Sequence, residues 1–296
     1  MKSSFILLLC LFGLSSCQNL TSKNQAMESS PQTPPEVIMT NKEKVGSFIA
    51  AVNQADANTV TELVHPDYIQ HNPFIPSGRD QFIGLFPVLE EYGTQATTHR
   101  MLQDGNYVVM HNLWTGATPF GAEQMVSFDL LRIDDDGLIA EHWDALMPLS
   151  APNASSRTLL DGPTEVTDLD KTEENKAKVV ELYDQLINGK AEELGKVLPE
   201  YFAADYHQHN PNAADGIVGL AGALQNGDLV FTFEQQHLVI GEGNFVLSIS
   251  AGTHREQPAV FYDLLRFEEG LIVEHWDVIQ DIPTENLANT NTMFGF

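Results

Sequence analysis

The chain has 296 residues, 43% of them hydrophobic, and a formal charge of −26 from 41 acidic and 15 basic side chains. That apolar content excludes a disordered or fibrous chain, and the length fits two domains of ordinary size. The acidic balance disfavours nucleic acid and anionic membrane surfaces as partners.

In chain order, Lys2 comes first, then an apolar run over 5–14, then Ser15-Ser16-Cys17. A positive start, a short apolar stretch and small residues after it read as an export signal. The run is shorter than the roughly 20 residues a membrane-spanning helix needs. Leu14-Ser15-Ser16-Cys17 resembles the bacterial lipobox. The resemblance implies removal of a signal peptide over 1–16 and lipid on Cys17. It also implies a place in the bacterial cell envelope, with the lipid as the only membrane contact. Gln18 follows Cys17 where an Asp often retains such proteins at the inner membrane, so the expected location is the outer membrane, facing the periplasm. Cys10 and Cys17 are the only cysteines, so the folded part is expected to hold no disulfide or thiolate metal ligand. Residues 17–40, rich in Ser, Thr, Asn, Gln and Pro, read as a flexible tether.

From Asn41 the spacing of Val45, Phe48, Ile49 and Val52 predicts a helix. Val60, Leu63 and Val64 mark a second short one, and a third is expected over about 80–91. Strands are predicted over 97–103, 107–115, 125–133 and 138–146, with turns at Gly105 and Asp134-Asp135-Asp136-Gly137. The same order returns: helical spacing at Val179, Leu182, Tyr183 and Leu186, further apolar positions at Leu194, Val197, Leu198 and Phe202, and strands over 231–240, 245–253, 259–267 and 271–279. Helices followed by an antiparallel sheet make an α+β arrangement.

The return is not limited to apolar positions. Tyr68-Ile69-Gln70-His71-Asn72-Pro73 recurs as Tyr206-His207-Gln208-His209-Asn210-Pro211, and Glu141-His142-Trp143-Asp144 recurs unchanged from Glu274 to Asp277. Matching polar residues suggest a copied site, though common descent also accounts for them. The expected domains are 41–149 and 174–296, joined by a linker over 150–173.

These motifs, with Asp129-Leu130-Leu131-Arg132 and Asp263-Leu264-Leu265-Arg266, resemble the SnoaL-like polyketide cyclase family of the nuclear transport factor 2-like superfamily. The resemblance implies two tandem cones, each a curved antiparallel sheet over N-terminal helices. Cones of this kind often pair through their sheets, here within the chain or with another chain. It further implies a pocket for a small apolar carbonyl compound, and an intramolecular aldol condensation without metal or organic cofactor. The family's acid/base Asp matches Asp144 and Asp277 by position.

Such chemistry needs a base beside a carbonyl and donors for the developing enolate oxygen. Asp144 and Asp277 are the candidate bases, and would need a raised pKa. His71, His209, His142 and His275 join them as candidate catalytic groups, with Asn72 and Asn210 as further donors to the oxygen. The alternative for His71, Asn72 and their copies is that they fix a corner of the chain through backbone bonds. Trp143 and Trp276 are expected as apolar walls. Strand parity puts His142 with Asp144 on one face, and Glu141 with Trp143 on the other. Asp129 and Asp263 could orient His142 and His275 across the ladder, or pair with a strand Arg. His111 has no counterpart in the second copy, where Ile249 stands, so the first copy carries the fuller polar set and is the one favoured if a single cone is active.

No metal is expected, since His71, His111, His142 and Glu141 lack a short ligand spacing. No Gly-rich phosphate loop appears. The leading expectation is cofactor-free proton transfer, as aldol condensation, cyclisation or isomerisation. The rivals are a non-catalytic binding or assembly module of the envelope, and a hydrolase or dehydratase on the same site.

Overall fold

In the computed structural model, which describes residues 39–190 and 193–296, the first element is a capped helix. The expected signal peptide, Cys17 and nearly all of the tether lie outside the described residues. Thr40 caps α1 (Asn41–Asn53), its hydroxyl accepting from the Glu43 N–H while the Glu43 carboxylate accepts from the Thr40 N–H. This reciprocal pair satisfies two helix-end donors. Asp56 caps α2 (Ala57–Leu63) in the simpler way.

The chain then forms β1 (Val64–Gln70), which the sequence reading left out, and two short helices where one was expected. These are α3 (Arg79–Ile83) and α4 (Phe86–Tyr92), divided at Gly84 and Leu85. Pro87 accounts for the break, because proline fits the first turn of a helix but not its interior. Strands β2 (Gln95–Asp104), β3 (Tyr107–Thr115), β4 (Gln124–Ile133) and β5 (Ile139–Pro148) follow. The second half repeats the order with α5 (Thr172–Asn188), α6 (Leu194–Tyr201), β6 (Phe202–Gln208), α7 (Gly216–Asn226), β7 (Phe231–Glu242), β8 (Phe245–His254), β9 (Gln257–Glu268) and β10 (Leu271–Asp281).

The two sheets have matching orders, β1-β5-β4-β3-β2 and β6-β10-β9-β8-β7. All pairings are antiparallel except the edge pairs β1–β5 and β6–β10. Each sheet folds over its own helices, giving two tandem cones in an α+β fold.

Alternation along the strands separates two environments. On β4, Val126, Phe128 and Leu130 point to the convex face, while Ser127, Asp129 and Leu131 point into the cone. The convex faces of the two sheets meet in one shared core that includes Phe128, Trp143, Tyr262 and Trp276. The central strands are therefore buried on both faces, and read as nearly unbroken apolar runs. The concave side of the first cone packs on Val45, Phe48, Phe82 and Phe86. That of the second packs on Val179, Leu182 and Tyr183.

Candidate functional site

Inside the first cone, the register sets Asp129 on β4 directly opposite Asp144 on β5. His142 Nε2 lies 3.2 Å from Asp129 Oδ1 and 4.0 Å from Asp144 Oδ2. The corner after β1 delivers Asn72, whose Nδ2 donates to both Asp144 oxygens at 2.9 and 3.0 Å. Gln70 fixes this corner from below. Its Oε1 accepts from the Asn72 N–H, and its Nε2 donates to His142 Nδ1 at 3.0 Å. The second oxygen of Asp129 accepts from Asn112 Nδ2 at 2.8 Å and from the Ser127 hydroxyl. Every carboxylate oxygen here has a partner.

Burial raises the Asp144 carboxyl, and the charge of Asp129 adds to this. The charge of His142 and the Asn72 bonds oppose both, leaving it at about 6. Burial pulls His142 down, but its hydrogen bond to Asp129 and the two carboxylate charges outweigh that, so its pKa rises.

The second cone repeats the frame with different filling. Asp263 faces Asp277 across β9 and β10, and His275 Nε2 lies 3.0 Å from Asp263 Oδ1. Asn210 Nδ2 donates to Asp277 Oδ2 at 2.7 Å. Asp277 Oδ1 has no hydrogen-bond partner among the described residues, nor has Asp263 Oδ2. The reason lies in the strand sequences. The positions of Asn112 and Ser127 are held by Ser250 and Phe261, so the two donors that finish the first cluster are missing. Burial and the Asp263 charge raise the Asp277 pKa, against the opposing pull of His275 and Asn210. His275 is also raised: burial lowers it, and the Asp263 bond and two carboxylate charges prevail.

Each His and its two Asp stand close enough to share a cation. In the second cone, however, His275 Nδ1 faces Gln208 Oε1 at 3.0 Å and Nε2 faces Asp263 Oδ1, both acceptors. Acceptors at both nitrogens favour the protonated ring, and a protonated imidazole does not ligate a metal. The cluster is built to share protons.

The space around the two clusters differs sharply. The first cone retains a cavity of about 50 Å³, walled by Phe48, Phe82, Met110, Trp114 and Phe120. The second holds about 480 Å³, walled by leucines and by Phe202, Phe231, Phe233 and Phe261, with Tyr183, Tyr206, Asp263, His275 and Asp277 at its polar end. Trp114 pairs with Met125 as Gly252 pairs with Ala259, so glycine replaces the indole that plugs the first cone. A Cβ at position 252 would overlap the Thr232 carbonyl oxygen, so only glycine fits. The expectation that the first cone has the better site is therefore reversed: its extra polar groups close the cluster, and the room is in the second.

Several expected site residues lie elsewhere. His71 and His209 are not in the cavities. Their rings stack on Trp143 and Trp276 on the convex face, with centroids 4.5 and 4.6 Å apart. They bond Glu141 at 3.0 Å and Glu274 at 2.8 Å, which in turn hold Arg132 and Arg266. Trp143 and Trp276 wall neither cavity, because strand parity turns them into the shared core. His111 is also in that interface, accepting from Arg100 Nη1 at 3.1 Å, and burial with the Arg100 charge holds it well below the ordinary histidine range. Asn72 and Asn210 meet the acids: Asn72 Nδ2 donates to both Asp144 oxygens, and Asn210 Nδ2 donates to one oxygen of Asp277. Brought together as expected are His142 with Asp144 and Asp129, and His275 with Asp277 and Asp263. Sequence reading missed Tyr183 as a cavity residue, since at helical spacing it looks like any other core position. Ile49 fills the matching place in the first helix.

Residues 45–142 match the model of the SnoaL-like domain. Among solved structures, the chain is similar to IdmH, a proposed polyketide cyclase from Streptomyces antibioticus, at 22% identity over 36% of this chain and 92% of that one, with a TM-score of 0.32. It is similar to an NTF2-like protein of unknown function from Cytophaga hutchinsonii, at 16% identity over 38% and 95%, with a TM-score of 0.33. A further likeness is to a proposed polyketide cyclase from Bacillus cereus, at 17% identity over 36% and 78%, with a TM-score of 0.32. No curated protein matches the chain.

Proposed function

We propose that the second cone binds a small, largely apolar, carbonyl-bearing molecule and moves a proton on it without a cofactor, with Asp277 as the acid/base. The observation that carries this reading is one atom. Asp277 Oδ1 is buried, has no partner among the described residues, and belongs to a residue lining a 480 Å³ apolar cavity. A carboxylate oxygen without a partner among the described residues, at the polar end of an apolar chamber, is poised to take or give a proton, and burial raises its pKa. Asn210 holds the other oxygen and so fixes the direction of the free one. His275, paired with Asp263, supplies positive charge beside the carboxylate. Tyr183 and Tyr206 carry the hydroxyls nearest in kind to what an enolate oxygen needs, and burial keeps both protonated. Aldol condensation, cyclisation and isomerisation all begin with this proton transfer.

The test uses 2-tetralone, a small apolar ketone whose α-protons exchange detectably. In D₂O the parent should speed deuterium entry at the α-carbon, as read by NMR. Asp277→Asn should lose roughly 100-fold of that acceleration, the size of a general-base contribution. Asp144→Asn should leave it unchanged. Equal exchange by the parent and by Asp277→Asn would refute the assignment.

The first cone fits the non-catalytic alternative for its own half. Its cavity is close to the volume of one or two waters, and its acid is fully capped. We assign it an assembly role. We also propose that the chain is anchored by lipid on Cys17 at the periplasmic face of the outer membrane. Labelling with an alkynyl fatty acid should mark the parent and miss Cys17→Ala; equal labelling would reject the anchor.

A further inference from the structure

The corner that carries Asn210 is held from outside its own cone. Asn153 lies beyond β5, on the segment that leaves the first cone. Its Nδ2 nonetheless reaches three main-chain carbonyls of the second: Gln208 at 2.6 Å, Asn210 at 3.2 Å and Ala213 at 2.9 Å. The side chain is buried, 7% of the residue being exposed. Its Oδ1 accepts from the N–H groups of Ser155 at 2.9 Å and Arg157 at 3.1 Å, so the amide cannot turn over without losing both. Arg157 then grips Asp215, which accepts from the Gln208 N–H at 3.0 Å. One residue further on, the Thr158 carbonyl meets His209 Nδ1 at 2.7 Å.

The same clasp exists in reverse. The segment after β10 crosses to the first cone, where Asn289 Nδ2 donates to the carbonyls of Asn72 and Ile75, each at 2.7 Å. Asn291 Nδ2 bonds Gln70 O at 2.9 Å, Ala288 N–H bonds Pro73 O at 2.7 Å, and the Thr292 carbonyl meets His71 Nδ1 at 2.6 Å. Two unrelated local sequences, one beside Asn153 and one beside Asn289, reach the same kind of target.

We propose that Asn153 is a positioning residue for the second chamber and Asn289 its counterpart for the first, so that each cone's acid is aimed by the exit segment of the other cone. The physical link is short. Asn210 Nδ2 can donate to Asp277 at 2.7 Å only while the corner before Pro211 keeps its place. Removing Asn153 strips the carbonyl groups of that corner of a buried donor, and the cost of leaving them unpaired drives the main chain to shift. Asp277 then loses its one hydrogen-bond donor among the described residues and becomes harder to ionise. The other titratable groups that bear on it are Asp263 on β9, His275 on β10, Tyr206 on β6, Tyr183 on α5 and His209 at the corner itself. The charge of His209 favours the ionised acid, and its displacement would act in the same direction.

The test needs no ligand, so it fails or succeeds apart from the proposed chemistry. In the full chain with ¹³C-labelled aspartate carboxyls, Asp277→Asn and Asp144→Asn identify the two resonances. Asn153→Ala should move the Asp277 midpoint upward by roughly one pH unit and leave Asp144 in place. Asn289→Ala should do the opposite. Should Asn153→Ala fail to fold, Arg157→Gln loosens the same segment and should move Asp277 in the same direction by less. Midpoints that stay put in these variants, or that move together in either one, overturn the proposal.

Discussion

Asp144 and Asp277 occupy matching places, yet they differ in what surrounds the last oxygen. In the first cone, Asn72 covers both oxygens, and the carboxyl still titrates at about 6 against an ordinary 3.8, because burial outweighs the two bonds. A raised carboxyl holds its proton more tightly folded than unfolded. Its contribution to stability is therefore full below the ordinary carboxylate pKa and is lost as pH rises through the folded value. Above that, the buried charge costs on the order of 3 kcal/mol. Asp144→Asn should thus raise the denaturant midpoint relative to the parent at pH 8, and the gain should shrink toward pH 5. A difference that does not vary with pH would contradict this. Glu274 behaves in the opposite sense. Burial pushes it up, but His209 and Arg266 bonds pull it lower, so its stabilisation is present at neutral pH and fades as acid protonates it. Breaking this buried set with Glu274→Ala should cost about 3–5 kcal/mol, read by urea unfolding, because His209 and Arg266 would be left without their partner. At this scale the sequence was informative where parity governs: the alternation along Glu141-His142-Trp143-Asp144 separates His142 and Asp144 from Glu141 and Trp143. It could not place His71 and His209, offered both as catalytic groups and as corner-fixing ones, because a residue at a chain corner has no strand parity to read.

The strands repeat, but their cargo does not. Trp114 plugs the first hollow where Gly252 leaves room in the second, and Asn112 and Ser127 complete the first acid cluster where Ser250 and Phe261 do not. Gly252→Ala should destabilise by about 1–3 kcal/mol, because the added carbon meets the Thr232 carbonyl and β7 must move. Calorimetry on that variant checks the direction, and a gain in stability would show that β7 yields freely. The antiparallel strands were legible because each is long and bounded by turn residues. Strands β1 and β6 were not. Pro66 sits within β1, and a proline inside an apolar run argues against a strand unless it lies at a sheet edge, as this one does. Their partners β5 and β10 lie far along the chain, and no local signal announces a parallel pairing of that span.

At the level of the whole molecule, the two sheets share one core, with Trp143 and Phe128 from one half against Tyr262 and Trp276 from the other. The halves should therefore unfold together, giving a single calorimetric transition. Two well-separated peaks would show instead that the convex faces contribute little. Trp143→Ala should lower that one transition, at a cost of about 3–5 kcal/mol. The repeat of two similar halves was plain in the sequence, from the recurrence of the His-Asn-Pro and Glu-His-Trp-Asp motifs. The crossing of the exit segments was not, since Asn153 and Asn289 stand in stretches with no shared pattern and act through main-chain carbonyls that any residue supplies.

The overlap between a side chain at position 252 and the Thr232 carbonyl has an evolutionary reading. A bulky replacement there cannot settle by choosing another rotamer, for the obstacle is main chain. A single codon change would have to bend an edge strand before it could fill the lower half of the molecule. At this position the room in the second cone is thus shielded from drift by backbone geometry, whereas the matching place in the first cone is taken by an indole that substitution can remove.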